Sequence, residues 1–213
     1  MKLAIYGAGG FGKEVAAMVN YINKLNPTWE FIGFFDDSVP QGKLISHLGP
    51  VLGNLDTLNR WSEDLSVVFA IGNPVVLKKL IESIYNPRIE FPNLFHPDVY
   101  FADPLSFKAG KGNLAVRGVS FSVDVEIGDF NQFNSFSALA HDVKVGSYNV
   151  FMPLSRISGE VRIGDANYFG IGSVVLQTVI IGHQTRIGAG SYVLRSTEDN
   201  HLYFGNPAKK TYF

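Results

Sequence analysis

The sequence predicts two domains with different grammars, an α/β unit over residues 1–95 and a triangular parallel β-solenoid over residues 96–213. Three observations carry that division. The chain opens with a short apolar run that enters a glycine-rich turn and then a helical apolar period. Two more apolar runs end in Asp-Asp and Gly-Asn loops. From Phe121 onward an apolar residue returns at every sixth position. At 213 residues the chain has ample length for one or two buried cores.

Leu3 to Tyr6 reads as the first strand, Gly7-Ala8-Gly9-Gly10-Phe11-Gly12 as the turn, and Val15, Met18, Val19 and Ile22 as the apolar stripe of the following helix. Glycines at 7, 9 and 12 fit G-x-G-x-x-G, in which missing Cβ atoms let the backbone approach a phosphate while the helix N-terminus presents N–H groups to it. A second strand, Phe31–Phe35, delivers Asp36 and Asp37 about 20 residues beyond the turn, where a carboxylate either accepts hydrogen bonds from a ribose or serves as a turn acid bonding its own backbone. The third strand, Val67–Ile71, ends in Gly72-Asn73-Pro74 and leads into a helix carrying Val76, Leu80, Ile81 and Ile84. Three strand ends thus gather their loops on one edge of a parallel sheet, a Rossmann-like arrangement. A nicotinamide-dependent oxidoreductase needs a second mononucleotide-binding half, and the α/β pattern stops near Phe95.

The six-residue series runs Phe121, Ile127, Phe133, Leu139, Val145, Phe151, Ile157, Ile163, Phe169, Val175, Ile181, Ile187 and Val193. A period of 18 is superimposed: glycine recurs at 128, 146, 164 and 182, asparagine at 131, 149 and 167, and serine at 137, 155, 173 and 191. Three hexads therefore make one coil with three distinguishable sides, and coils stack at the strand spacing of about 4.8 Å. The apolar residues fill the prism, while residues two and three positions beyond each of them form outward-facing corners. Function is expected at the corners. Up one corner the chain places Val123, His141, Gly159, Gln177 and Arg195, flanked by Asp124, Asp142, Glu160, Thr178 and Ser196. One coil alone carries His-Asp, and Gly159 in the next leaves a side-chain-sized gap with a backbone N–H about 4.8 Å away. A base beside an oxyanion donor is the geometry of acyl transfer.

Composition narrows the chemistry. The 18 Lys+Arg and 19 Asp+Glu leave a net charge of -1, a balance not built to grip nucleic acid. A hydrophobic fraction of 46% with 17 Phe excludes disorder. No apolar run approaches the ~18 residues of a membrane span, and the apolar N-terminal segment is too short for a signal peptide. The expected setting is cytoplasmic. With no cysteine there is no thiolate nucleophile and no Cys-based metal site, and no G-x-S-x-G elbow appears. Transfer is therefore expected to pass directly from donor to acceptor. His47, His96 and His201 read as structural or solvated, His183 as a corner histidine that is solvated or meets CoA or a neighbouring subunit, and no metal triad is expected. Lys209-Lys210 reads either as a solvated end or as a contact to a phosphate.

The order of Gly7-Ala8-Gly9-Gly10-Phe11-Gly12, Phe34-Phe35-Asp36-Asp37, Ala70-Ile71-Gly72-Asn73, Phe95-His96-Pro97, hexads with Ala140-His141-Asp142, and Gly205-Asn206-Pro207-Ala208-Lys209 covers nearly the whole chain. It resembles the sialic-acid O-acetyltransferase (NeuD-like) family of hexapeptide-repeat sugar acetyltransferases. The resemblance implies a left-handed solenoid, although right-handed crossovers are the rule elsewhere. It also implies a homotrimer with sites between subunits, a sugar or sugar-nucleotide on the N-terminal domain, and acetyl-CoA as cosubstrate along the solenoid. By position it makes His141 the general base, Asp142 its acidic neighbour, Asn134 a holder of substrate and Gly159 the oxyanion amide. Gly170, Gly172, Gly188 and Gly190 then match the CoA groove, and Gly9, Gly10 and Asp36 the nucleotide-facing loops. Where that family often has a second histidine nine residues beyond the first, this chain has Val150.

The function these readings predict is acetyl-CoA-dependent transfer of an acetyl group to an amine or hydroxyl of a sugar, nucleotide-linked, in surface-glycan biosynthesis. A non-catalytic sugar-binding trimer is the alternative that keeps the solenoid. Outward aromatics at Tyr148 and Tyr168 are the expected subunit contacts.

Overall fold

The computed structural model describes residues 1–211 and divides into two units, one from residues 1–72 and 76–94, the other from 73–75 and Phe95 onward. In the first unit β1 (Lys2–Tyr6) is a central parallel strand, and Leu3, Ala4 and Ile5 are fully buried because both faces of such a strand are covered. α1 (Gly10–Leu25) follows and buries Val15, Ala16, Met18 and Val19. β2 (Glu30–Phe35), β3 (Leu44–Ile45), β4 (Gly49–Gly53), α2 (Leu55–Asn59), β5 (Leu65–Phe69), α3 (Pro74–Glu82) and β6 (Ile89–Glu90) come next. The sheet order is β3-β4-β2-β1-β5-β6, parallel except for the β3–β4 pair.

The three anticipated strands are present, with β5 starting and ending two residues before the expected Val67–Ile71. α3 buries Leu80 and Ile81 as read from the sequence, with Leu77 in place of the half-exposed Val76, and ends at Glu82, before Ile84. β3, β4 and α2 carried no readable signal: they are short, and β4 contains two glycines and a proline. No second mononucleotide half appears among the described residues.

The second unit is a left-handed parallel β-solenoid. One coil shows its three faces: Gln132–Phe133 on the first, Ala138–Leu139 on the second, Lys144–Val145 on the third. Between Lys108 and Val193 the two-residue strands pair in parallel at a spacing of 18 residues, as Gln132 does with Val150 and Ala138 with Arg156. Phe133, Phe151 and Phe169 stack inside the prism with ring centroids 4.7 and 4.5 Å apart. Each such buried ring contributes about 2–3 kcal/mol.

The recurrent asparagines form an internal ladder. Asn131 donates through Nδ2 to Asn113 Oδ1 at 3.1 Å, Asn149 to Asn131 at 2.9 Å and Asn167 to Asn149 at 3.0 Å, so polar groups fully removed from water are satisfied coil to coil. The corners turn through residues in the left-handed conformation, among them Asp124, Phe136, Asp142, Leu154, Glu160 and Thr178, with φ between 55° and 64°. Gly172 and Gly190 take the same conformation without its steric cost. At the far end Leu202–Phe204 and Lys209–Thr211 pair as an antiparallel hairpin that closes the last coil.

Candidate active site

His141 and Asp142 occupy the corner between the second and third faces. Asp142 adopts the left-handed conformation of its corner (φ 60°), and its carboxylate lies 2.8 Å from His141 Nδ1. That contact fixes the proton on Nδ1 and leaves Nε2 as the acceptor nitrogen. Both side chains are about half-exposed. In the coil above, Gly159 lies against the imidazole: a Cβ built on it would fall 2.5 Å from His141 Cε1 and Nε2. Glycine is what lets the ring lie there. Gly159 accepts a hydrogen bond from Thr178 N–H, while its own N–H has no partner among the described residues. The corner is held by Glu160 N–H donating to His141 O at 2.9 Å, and Gln177 Nε2 in turn holds Glu160 Oε1 at 2.8 Å. Glu160 and Gln177 stand out from the sequence only through the 18-residue period. Grooves open on both sides of this corner, one of about 500 Å³ along Asp142, Lys144, Glu160 and Arg162, the other of about 420 Å³ along Ala138, Ala140, Arg156 and Ser158.

Asn134 and the four predicted groove glycines stand elsewhere, at the corner between the first and second faces. Asn134 is buried and donates through Nδ2 to Phe151 O at 3.1 Å, while its Oδ1 accepts no hydrogen bond among the described residues. Gly170 and Gly188 sit where a Cβ would strike the Ala189 backbone and the Phe204 ring, whereas Gly172 and Gly190 face open space. Within one chain the face that carries the strand Ala138–Leu139 therefore lies between His141 and the corner of these five residues. Val150 is fully buried on the first face, away from the His141 corner.

In the first unit Gly9 and Gly10 open onto space, with nothing within 4 Å of an added Cβ. Gly7 and Gly12 are structural: Gly7 has φ +110° against Ala70 O, and a Cβ on Gly12 would strike the Gly7 carbonyl. Asp36 is more occupied than the ribose reading anticipates. Oδ2 accepts from Ala8 N–H at 2.8 Å, and Oδ1 accepts from Ser38 N–H, Ser38 Oγ–H and Val39 N–H at 2.8, 2.7 and 3.2 Å. Burial alone would raise its pKa, but these donors together hold the carboxyl below the usual range. Asp37 is likewise engaged by Tyr6 O–H at 2.8 Å and Leu55 N–H at 3.0 Å. Burial and Asp37 push the Tyr6 hydroxyl upward, so it stays a donor. These carboxylates brace the glycine turn, and a groove of about 340 Å³ lies beside them along Ser38, Gln41, Asn54 and Thr57.

Three other histidines take structural parts. His183 Nδ1 accepts from Asp165 N–H at 3.0 Å, His96 Nδ1 from Asp98 N–H at 2.9 Å with burial lowering its pKa, and His201 Nδ1 lies 2.6 Å from Asp199 O. Lys210 is paired with Glu198 at 2.8 Å. Tyr148 stacks on Phe130 and Tyr168 lies under Arg186, so neither is the free aromatic surface anticipated. Exposed apolar side chains of the solenoid include Phe136, Leu154 and Ile171 at the Asn134 corner and Val123, Leu176 and Leu194 at the His141 corner. Among the described residues no group of three His, Asp or Glu side chains could hold a metal ion, and no helix is long and apolar enough to cross a membrane.

Residues 2–84 match the PglD N-terminal domain. The whole chain superposes on solved structures. The acetyltransferase domain of PglB from Neisseria gonorrhoeae FA1090, in complex with acetyl coenzyme A, is 28% identical over 99% of this chain and 98% of that one, with a TM-score of 0.87. The fold is that of the hexapeptide-repeat sugar acetyltransferases. A histidine-to-asparagine variant of perosamine N-acetyltransferase from Caulobacter crescentus, in complex with CoA and GDP-perosamine, is 25% identical, covering 100% and 98% with a TM-score of 0.84. WeeI from Acinetobacter baumannii AYE is 29% identical, covering 99% and 100% with a TM-score of 0.88. No curated protein matches the sequence.

Proposed function

We propose that the protein transfers the acetyl group of acetyl-CoA to the amine of a nucleotide-linked amino-sugar, with His141 as general base. The observation that carries this reading is the corner itself: an imidazole tied at Nδ1 to Asp142, open at Nε2, and packed against a glycine whose N–H has no partner among the described residues. The amine nitrogen attacks the thioester carbonyl carbon while Nε2 takes its proton, a contribution typically of ~10²–10⁴-fold. The oxyanion forms against Gly159 N–H, a donor of the kind worth about 3 kcal/mol. Collapse breaks the C–S bond, and the proton on Nε2 passes to the departing thiolate, giving the acetamide and CoA. Asp142 keeps the ring oriented and balances its charge. The amine is preferred to a hydroxyl because one similar structure is that of an N-acetyltransferase holding a nucleotide-linked amino-sugar.

The nucleotide is assigned to the glycine turn, where Gly9 and Gly10 give backbone access and Asp36 shapes the loop. Asn134, Gly172 and Gly190 complete the acetyl-transfer site as parts of a neighbouring copy. They stand across a face from His141 in their own chain, and the exposed Phe136, Leu154 and Ile171 beside them suit a subunit contact. The working unit in this reading is a homotrimer in the cytoplasm. A thiol-release assay with acetyl-CoA and a panel of nucleotide-linked sugars tests it. Release with amino-sugars and not with their hydroxyl counterparts is expected, and no release with any acceptor would overturn it.

A further inference from the structure

The His141 corner is a ruler as well as a site. Its outward positions advance one coil at a time through His141, Gly159, Gln177 and Arg195, at about 4.8 Å per coil. Downward the column meets Val123 and Asp124, and upward it ends in Arg195, so charge gives it a direction for any bound anion. Arg195 is exposed and makes no ion pair or hydrogen bond among the described residues. Its turn is nonetheless pinned: Ser196 Oγ accepts from Ile180 N–H at 3.0 Å, and Thr197 N–H donates to Ile180 O at 2.9 Å. Beside the column, Leu176 and Leu194 expose apolar side chains on consecutive coils between the Gly159 level and the Arg195 level.

We infer that Arg195 binds the diphosphate of CoA, with the pantetheine arm running up the corner over Leu176 and Leu194. This rests on the acetyl-CoA reading above. With the thioester carbonyl at Gly159 N–H, Arg195 stands two coils higher, about 10 Å. Its side chain adds roughly 6 Å of reach. The arm from thioester sulfur to the first phosphorus is some thirteen bonds, about 15 Å when extended at the ~1.2 Å per bond of an extended backbone. The two lengths agree. The other cations near this corner fit less well. Arg156 and Arg162 lie in the Gly159 coil, level with the thioester, and Lys210 is already paired with Glu198. An amphipathic arm bearing two methyl groups matches an exposed leucine pair, and a diphosphate matches a guanidinium with open donors.

The test compares Arg195→Gln and Arg195→Lys with the wild type, by calorimetric titration of CoA and by steady-state kinetics with two donors, acetyl-CoA and S-acetyl-pantetheine, which has no phosphate. Arg195→Gln is expected to weaken CoA binding and raise KM for acetyl-CoA about tenfold. KM for the nucleotide-linked sugar should hold, S-acetyl-pantetheine should be used equally by variant and wild type, and Arg195→Lys should recover part of the loss. Equal losses with both donors, or unchanged CoA affinity, would overturn the assignment while leaving the acetyl-CoA reading intact. A wild type that neither binds CoA nor releases thiol would overturn both.

Discussion

The imidazole of His141 lies against the Cα of Gly159, so that a side-chain carbon on Gly159 would fall 2.5 Å from both Cε1 and Nε2. One coil supplies the base and the next supplies both the space for it and the amide beside it. The pairing separates activity from stability, because the ring is half-exposed and able to move aside. Gly159→Ala is expected to lower turnover at least about 100-fold. Thermal melts should shift by no more than about 2 °C, since the displaced group is a surface side chain. A variant that melts normally and turns over like the wild type would separate Gly159 from the reaction.

His141→Asn removes the basic nitrogen at a corner that contributes nothing to the prism core. Turnover is expected to fall by about 10²–10⁴-fold, with binding of the nucleotide-linked sugar retained. Equilibrium titration of the sugar into the variant, beside the kinetic assay, checks both halves.

Gly9→Val tests the division of labour between the units. Gly9 has φ −76°, which valine adopts, and nothing lies within 4 Å of the added Cβ, so the fold accommodates the change. The branched side chain then stands where the nucleotide needs bare backbone. KM for the nucleotide-linked sugar should rise well above tenfold while KM for acetyl-CoA stays within about twofold. Equal effects on both substrates would argue that the glycine turn serves something else.

Asp36 gives a pH prediction. Its folded pKa lies below the ordinary carboxylate value of about 3.9, because the donors from Ala8, Ser38 and Val39 outweigh burial. The sign follows: Asp36 stabilises the first unit fully above that ordinary value, and the contribution drains away as pH falls through the lowered one. Asp36→Asn should cost about 1–2 kcal/mol at pH 7 through its weakened hydrogen bonds. The gap between variant and wild type, followed by melts from pH 7 to pH 3, should close at the acid end. A gap that stays constant would locate the effect outside the charge.

The subunit reading predicts a particle three times the 23.4 kDa chain by light scattering. Leu154→Lys, at an exposed corner outside the prism core, should shift that particle toward monomer and depress activity together, because the subunit reading brings Asn134 to His141 only from a neighbouring copy. A trimer that dissociates with full activity would contradict the shared site.

The sequence by itself determined the solenoid, because an inward side chain is required once per hexad and any coil that breaks the period opens the prism. It determined the His141 corner too, since an 18-residue period converts residue number into position on a face. The period became legible only at Phe121 for a physical reason. The two preceding hexads carry only alanine, Ala109 and Ala115, in register with Ile127 and Phe133, and the pairing of Phe121 with Phe101 spans two residues more than the usual 18. Tertiary structure alone decided what the periodic polar residues do. Asn131, Asn149 and Asn167 turned inward as a ladder, because stacking brings each amide within reach of the next. It also decided between the two sequence readings of Asp36 and Asp37 only as far as their local role, which is to brace the glycine turn through hydrogen bonds from Ala8, Ser38 and Tyr6. And it separated His141 from Asn134, seven residues away along the chain, by the width of one face of the prism.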